Sequence, residues 1–142
     1  MIVADTNVVS EFMKDVPDSA VVTWAQGLSP SDVAITVVTV QEVEYGLRRM
    51  PSGRRQRDLQ QRWAQVLDTF VDQVVCYDVN AAGQTAAVLA AAAATGRHMS
   101  LADAQIAGIC VAGQYDLATR NVGDFTGVAG LTLINPFAPF AP

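Results

Sequence analysis

Apolar and polar positions follow two different periodicities along the chain. Short β-branched runs bounded by polar or turn residues predict strands. The predicted strands cover residues 1–4, 33–37, 74–78, 115–119 and 131–134. Longer segments with apolar residues three and four positions apart predict helices. The predicted helices cover residues 8–13, 18–28, 39–50, 54–72, 81–95 and 101–112.

This alternation predicts a three-layer α/β/α fold with a central parallel sheet of four to five strands. We expect strand 1–4 to be central and strand 131–134 to lie at an edge. Right-handed crossovers would then bring the carboxyl ends of the strands to one edge of the sheet. The composition agrees, because 51% of residues are hydrophobic and parallel strands are apolar on both faces.

The length of 142 residues suits one domain, which we place at residues 1–135. Residues 136–142 contain three prolines and are predicted to form an extended tail outside the sheet. Asp5 interrupts the first apolar run, so no signal peptide is predicted. The alanine-rich run 86–94 is too short and too weakly apolar to span a bilayer. We therefore expect a cytoplasmic protein without a membrane segment.

The cysteines and the histidine offer little catalytic chemistry. Cys76 and Cys110 lie in apolar stretches and are predicted to be reduced core thiols. The single histidine, His98, excludes most histidine-based metal sites and makes a Ser-His-Asp triad improbable. Acidic residues are therefore the main candidates for a functional site.

Four acidic residues each occur where an apolar segment gives way to a helix. They are Asp5, Glu42, Asp103 and Asp124. A residue that can cap a helix stands three positions before each of the last three acids: Thr39, Ser100 and Asn121, in that order. Each of these three acids on its own therefore fits an ordinary capping box. In an open α/β sheet, however, such junctions gather at the edge where ligands bind. Four anions gathered there would repel one another without a cation, which predicts a divalent metal.

Basic residues are concentrated in one segment, although the formal net charge of the chain is −5. Residues 48–62 hold six arginines and a single acid, Asp58. Such a run is either a solvated helix face or an arm that binds phosphate bidentately beside the acidic cleft. A further arginine, Arg120, precedes Asn121 directly. The arginines predicted to contact RNA phosphates are Arg48, Arg49, Arg54, Arg55 and Arg120.

Four motifs in this order resemble those of the PIN-domain ribonucleases. They are Asp5-Thr6-Asn7, Thr39-Val40-Gln41-Glu42, the stretch 101–107 (LADAQIA) and the stretch 119–125 (TRNVGDF). The resemblance is closest to the VapC-type toxins of bacterial toxin–antitoxin pairs, including the FitB-like branch. It covers the chain up to the proline tail, and every acidic position of the family pattern is occupied.

The resemblance implies a Mg²⁺- or Mn²⁺-dependent endoribonuclease that forms a homodimer. It also implies inhibition by a cognate VapB-type antitoxin in a hetero-oligomer. In the family pattern the four carboxylates form an acidic cluster with Thr6 and Asn121 as polar supports. We expect Asp5 and Asp103 to bind the principal metal ion and Asp124 to complete that site or hold a second ion. Glu42 would bind through water or orient the nucleophile.

Two other functions are compatible with the same residues. Phosphatases with an aspartyl nucleophile also begin with a strand that ends in aspartate. They need a second acid two residues later, where this chain has Asn7, and a lysine in later loops, whereas Lys14 is the only lysine. A non-catalytic binding module is the second alternative. Its acidic edge would receive an arginine from a partner, and its arginines would bind nucleic acid without cleavage.

Overall fold

Five parallel strands form the central sheet of the computed structural model, which describes residues 1–138. The strands are β1 (Ile2–Ala4), β2 (Val33–Thr36), β3 (Val74–Val75), β4 (Asp116–Ala118) and β5 (Leu133–Ile134). Their order in the sheet is β3-β2-β1-β4-β5, and all four pairs are parallel. The predictions of a central first strand and an edge position for the last strand are therefore confirmed.

Helices cover both faces of this sheet. In residues 1–138 they are α1 (Thr6–Glu11), α2 (Ser19–Gln26), α3 (Val37–Arg49), α4 (Arg54–Thr69), α5 (Val79–Ala94), α6 (Leu101–Gly113) and α7 (Val122–Phe125). Short 3₁₀ turns precede β2 and β3. None of the helices in the described part of the chain combines the length and hydropathy that a membrane crossing requires.

Alternate strand residues enter two separate cores, as the two-residue period of a strand requires. Val3, Ala34 and Leu117 pack with buried residues of α5 and α6 in one core. Their neighbours Ala4, Ile35 and Ala118 pack with buried residues of α1, α2, α3 and α4 in the other core. This division explains why the strands are apolar on both faces and confirms the three-layer arrangement.

Parallel pairing brings the ends of the three middle strands to one edge. Ala4 is opposite Ala118 in the register, and Val3 is opposite Ala34. Asp5, Thr119 and the end of β2 at Thr36 therefore lie side by side. The residues that follow these strands are the ones on which the functional site depends.

Several local predictions were wrong. Helix α3 begins at Val37 with Thr36 as its cap, not at Thr39, because the Thr36 hydroxyl accepts a hydrogen bond from the Thr39 amide at 3.2 Å. Glu42 is therefore the sixth residue of α3. Cys76 is exposed, because β3 ends before it at Val75, whereas Cys110 is buried as predicted.

The tail differs from the prediction in its first residues. Residues 136–138 form a turn, in which the Phe137 amide donates to Asn135 Oδ1 at 3.0 Å and the Ala138 amide donates to the Asn135 carbonyl at 3.2 Å. The rest of the predicted extended tail, residues 139–142, lies outside the described residues.

Candidate functional site

Asp5 lies at the centre of the acidic edge, because it follows the central strand and caps α1. Its Oδ1 accepts a hydrogen bond from the Thr6 amide at 2.8 Å, and its Oδ2 accepts one from Thr119 Oγ1 at 2.8 Å. Only 4% of its surface is exposed. The sequence thus places a buried carboxylate where two neighbouring strands end.

Thr119 joins the two strand ends and is fully buried. Besides donating to Asp5, its hydroxyl oxygen accepts hydrogen bonds from the Asn121 amide at 3.0 Å and from Asn7 Nδ2 at 3.3 Å. Asn7 Oδ1 in turn accepts a hydrogen bond from the Arg120 amide at 3.1 Å. This network fixes the loop after β4 against the start of α1.

Glu42 is connected to Asp5 through the hydroxyl of Thr6. Thr6 Oγ1 donates to Glu42 Oε1 at 2.8 Å and lies 3.0 Å from Thr39 Oγ1. A hydroxyl has one proton to donate, so the buried Thr39 is the donor to Thr6. The two threonines hold one oxygen of Glu42 and leave Oε2 available to a ligand.

Asp103 and Asp124 approach the site from the other side of Asp5. Asp103 is in the first turn of α6, where Ser100 Oγ accepts a hydrogen bond from its amide at 3.2 Å, as predicted. Asp124 is exposed on the short helix α7, whose cap residue Asn121 makes no side-chain capping bond. Asn121 therefore contributes its backbone to the network around Thr119.

The pKa values of two of these acids, Asp5 and Asp103, are raised above those of free carboxyl groups. Burial raises the pKa of Asp5 to about 6, with smaller contributions from the charges of Asp103 and Glu42, and hydrogen bonds from Thr119 and Thr6 oppose the rise. Burial and the charge of Asp124 also raise the pKa of Asp103, against a hydrogen bond with Ser100. The salt bridges found in residues 1–138 involve none of the four acids.

The carboxylates lie within electrostatic range of one another in pairs. The charges of Asp103 and Glu42 raise the pKa of Asp5, and the charge of Asp124 raises the pKa of Asp103. Among the described residues, no three His, Cys, Asp or Glu side chains are arranged so that they could hold a metal ion. The donor set suits a hard cation, since carboxylate oxygens are the ligands that Mg²⁺ prefers. The ligand roles of Asp5, Asp103 and Asp124 remain predictions.

The arginines predicted to contact RNA lie in two places. Arg48 and Arg49 end α3, and Arg54 and Arg55 begin α4. All four are exposed. Arg55 lines a groove of about 360 Å³ whose other lining residues include Thr6 and Glu42. The basic segment therefore adjoins the acidic site.

Two further arginines are engaged in contacts within the protein. Arg62 donates to the Met13 carbonyl at 2.8 Å and forms a salt bridge with Asp15, so it fastens α4 to the loop after α1. The Arg120 guanidinium lies 3.8 Å from the ring centroid of Phe137. Arg120 therefore has a cation–π partner within the chain.

Three residues of the site were not identified from the sequence: Asn7, Thr39 and Thr119. Each occurs within five positions of one of the four acids along the chain. Their hydroxyl and amide groups meet only after β1, β2 and β4 have paired. Their proximity to the acids along the chain is the one signal that could have indicated them.

Comparisons with known proteins give one consistent result. The PIN domain family model matches residues 2–131. The chain is 37% identical over 140 residues to VapC ribonuclease Y4jK of Sinorhizobium fredii, covering 98% of this chain and 99% of that protein. It is 30% identical over 138 residues to toxin FitB of Neisseria gonorrhoeae, covering 96% and 99%. The crystal structure of FitAcB from Neisseria gonorrhoeae superposes with a TM-score of 0.88 at 30% identity, covering 96% and 99% of the two chains.

Proposed function

This chain belongs to the PIN-domain family, and from that premise we propose that it is a Mg²⁺- or Mn²⁺-dependent endoribonuclease, the toxin of a toxin–antitoxin pair. The observation that carries the proposal is the buried Asp5, whose pKa is raised to about 6 beside two further carboxylates. Such an arrangement costs the metal-free fold stability at neutral pH, and a bound cation would offset that cost. Two relatives named as a VapC ribonuclease and a toxin support the same activity.

Asp5, Asp103 and Asp124 are the residues that would hold the ion, and their carboxylates would have to converge on it, since no three acids of the described residues form a ready cation site. The charge of Asp103 acts on Asp5 and that of Asp124 acts on Asp103, so we assign Asp103 the central position among the ligands. When bound, the ion lowers the pKa of a water molecule and neutralises charge on the phosphate of the substrate. The hydrogen bonds from Thr119 and Thr6 keep Asp5 in one orientation before any ligand arrives.

Glu42 would orient the attacking water. Thr6 occupies Oε1 of Glu42, so Oε2 is the atom that can accept a hydrogen bond from a water molecule in the groove. In hydrolysis the water oxygen bonds to phosphorus as the bond from phosphorus to the leaving oxygen breaks. A proton is lost from the water and another is gained by the leaving oxygen. Asn121 supports the site through its backbone amide, which donates to Thr119.

Arginines would bind the RNA backbone. We propose that Arg48, Arg49, Arg54 and Arg55 contact phosphates along the segment that joins α3 and α4, and that Arg120 contacts one at the edge of the site. Such contacts position a nucleic acid without reading its sequence. Arg120 would retain its stacking on Phe137 while one edge of its guanidinium faces the phosphate.

The structure gives the aspartyl-nucleophile alternative no support. The position of the second acid that such a phosphatase needs holds Asn7, whose side-chain amide donates to Asp5 Oδ2 and to Thr119 Oγ1. The only lysine, Lys14, forms a salt bridge with the buried Glu11 at 2.9 Å. Neither feature of a phosphatase site is present.

Cleavage of RNA by the purified protein tests the enzymatic proposal. We expect cleavage with Mg²⁺ or Mn²⁺, its loss on addition of EDTA, and a fall of at least about 100-fold for Asp5→Asn and Asp103→Asn. Asp68→Asn, an equal charge change on the exposed side of α4, is the control and should cleave normally. Normal cleavage by a folded Asp103→Asn variant would disprove the assignment. RNA binding without cleavage by the wild-type protein would instead favour the non-catalytic module.

The partners that we propose are a VapB-type antitoxin and a second copy of this chain. The antitoxin would place a basic side chain among the carboxylates, since no cation of this protein pairs with them in the described residues. Co-expression with the adjacent gene product, followed by co-purification and a cleavage assay, tests the antitoxin. Sedimentation of the isolated protein tests the homodimer. Failure to recover an inhibitory neighbour would argue against the toxin role and leave the nuclease proposal standing.

A further inference from the structure

The backbone at the end of α5 fixes the position of Arg97. Gly96 adopts a left-handed conformation with φ of 69°, and its amide donates to the Ala93 carbonyl at 3.1 Å. The Arg97 amide donates to the Ala92 carbonyl at 2.9 Å. These two bonds form a Schellman motif, which ends a helix and sets the course of the chain after it. Arg97 is therefore held at its backbone before its side chain makes any contact.

The guanidinium of Arg97 reaches the backbone of α7. Nη2 donates to the carbonyl of Gly123 at 3.3 Å and to the carbonyl of Asp124 at 3.5 Å. Carbonyls in the last turn of a helix have no partner within the helix, and a cation there is favourable. Because α7 has only four residues, this contact reaches the backbone of the residue that carries the fourth carboxylate.

Gly127 provides the space in which this guanidinium lies. A Cβ atom at position 127 would be 1.6 Å from Nη1 of Arg97 and 2.9 Å from its Cζ. Any side chain there would displace the guanidinium. The guanidinium of Arg97 can therefore take this position only because residue 127 is glycine. Arg97, Gly127 and Asp124 line one cavity of about 190 Å³ between α5 and α7.

Helix α7 also contacts β5 and is anchored by one buried side chain. Phe125 is its buried residue, with 1% of its surface exposed. Its cap residue Asn121 makes no side-chain capping bond. Phe125 therefore fixes one side of the helix, and the contact with Arg97 restrains the turn that presents Asp124.

We propose that Arg97 is a positioning residue for Asp124: it holds α7 so that the Asp124 carboxylate stays beside Asp103. The inference rests on the proposed function, because it assumes that Asp124 contributes to cation binding. Arg97 acts through the α7 backbone and not by contact with substrate. Removing its positive charge would by itself favour cation binding at the site, whereas losing the restraint on α7 would weaken it. The two effects have opposite signs.

Hydrogen exchange measures the restraint in the metal-free protein. We expect the amides of residues 122–126 to exchange faster in Arg97→Ala than in the wild type. Gly127→Ala should produce the same change, because its methyl group displaces the guanidinium while the charge remains. Gly83→Ala on α5, where an added Cβ meets nothing within 4 Å, is the matched control. Unchanged exchange at α7 in both test variants would overturn the inference.

Mn²⁺ titration followed by electron paramagnetic resonance measures the consequence for the site. Residues that orient metal ligands typically change metal affinity by about 10–100-fold, so we expect roughly tenfold weaker binding in Arg97→Ala and Gly127→Ala. In an Asp124→Asn background the Arg97→Ala change should have no further effect. Equal or tighter Mn²⁺ binding by Arg97→Ala would overturn the inference. Absence of Mn²⁺ binding by the wild type would instead overturn the proposed function, and hydrogen exchange would still test the contact with α7.

Discussion

At the scale of single residues, Asp5 is a buried acid that has hydrogen-bond donors around it but no salt-bridge partner in the described part of the chain. Its pKa rises from 3.8 to about 6, so the folded state holds its proton more tightly than the unfolded state. The contribution of Asp5 to stability is therefore greatest below about pH 4 and decreases as the pH rises to about 6. Above that pH the charge on Asp5 destabilises the metal-free fold.

We therefore predict that Asp5→Asn stabilises the metal-free protein at pH 7. The expected gain in the free energy of unfolding is on the order of 2 kcal/mol. It is less than the full pKa shift would give, because an amide nitrogen cannot accept the hydrogen bonds that Thr119 and Asn7 donate to Asp5 Oδ2. The gain should shrink as the pH is lowered from 6 to 4. Urea unfolding of both proteins with EDTA across this range measures it.

The difference in stability between the wild type and the variant at each pH reports on Asp5 alone. Acids whose pKa is lowered by folding affect both proteins equally. Although burial raises the pKa of Glu11, hydrogen bonds from Lys14 and the Asp18 amide lower it overall. The stability that Glu11 provides is lost as the pH falls, in the wild type and the variant alike. A difference between the two proteins that does not depend on pH would contradict the prediction for Asp5.

The acids could be predicted from the sequence, but the groups that hold them could not. Asp5 and Asp103 are recognisable because an acid at the junction of an apolar segment and a helix occurs four times in the chain, although a single such acid is an ordinary helix cap. Thr119 and Thr39 are β-branched residues that suit strands and helix starts equally well. Their function depends on hydrogen bonds to residues 114 and 33 positions away in sequence, which no local pattern specifies.

At the scale of elements, the closest packing is between α5 and α6. Gly108 of α6 lies against α5 so tightly that a Cβ there would be 2.1 Å from Thr85 Oγ1 and 2.8 Å from the Ala81 carbonyl oxygen. Thr85 and Ala81 are themselves buried. The small side chains of the alanine-rich α5 thus permit the two helices to approach at their backbones.

We predict that Gly108→Ala destabilises the protein by about 2–3 kcal/mol, because the α5 backbone must move to accept the methyl group. Gly83→Ala, a helical glycine with open space around it, should be neutral or stabilising by up to about 1 kcal/mol. Thermal and urea unfolding of the two variants measure the contrast. Equal stabilities would show that α5 and α6 are not in close contact at Gly108.

Most elements could be predicted, and their boundaries less well. Helix α2 begins within one residue of its predicted start, and Asp18 caps it by accepting hydrogen bonds from the amides of Ala20 and Val21. Helices α3 and α5 each begin two residues before their predicted starts, with Thr36 and Asp78 as their caps. In both cases several adjacent polar residues could cap, and the length of the preceding strand decides which one does. Strand length depends on tertiary pairing, so the sequence alone leaves the choice open.

At the scale of the whole molecule, cation binding should be visible as a gain in stability. Mg²⁺ or Mn²⁺ would bind the folded chain and not the unfolded one, because the acids meet only in the fold. At a free ion concentration ten times the dissociation constant the expected gain is about 1.4 kcal/mol. For a domain of this size the melting temperature should rise by about 5 °C.

Differential scanning calorimetry with and without the ion measures this shift. EDTA should reverse it, and the Asp103→Asn variant should show little of it. A shift of equal size in Asp103→Asn would place the ion elsewhere on a protein whose formal net charge is −5.

The order of the strands has a consequence for synthesis. Of the five strands, the central one is made first, and one of its two neighbours, β4, is made only after β2 and β3. Until residues 116–119 arrive, β1 is an open edge and Asp5 has no hydroxyl from Thr119 to orient it. The pocket therefore remains incomplete until β4 has been made. If the chain cleaves RNA as proposed, it would in this way be harmless to the messenger and the ribosome that are producing it until that point.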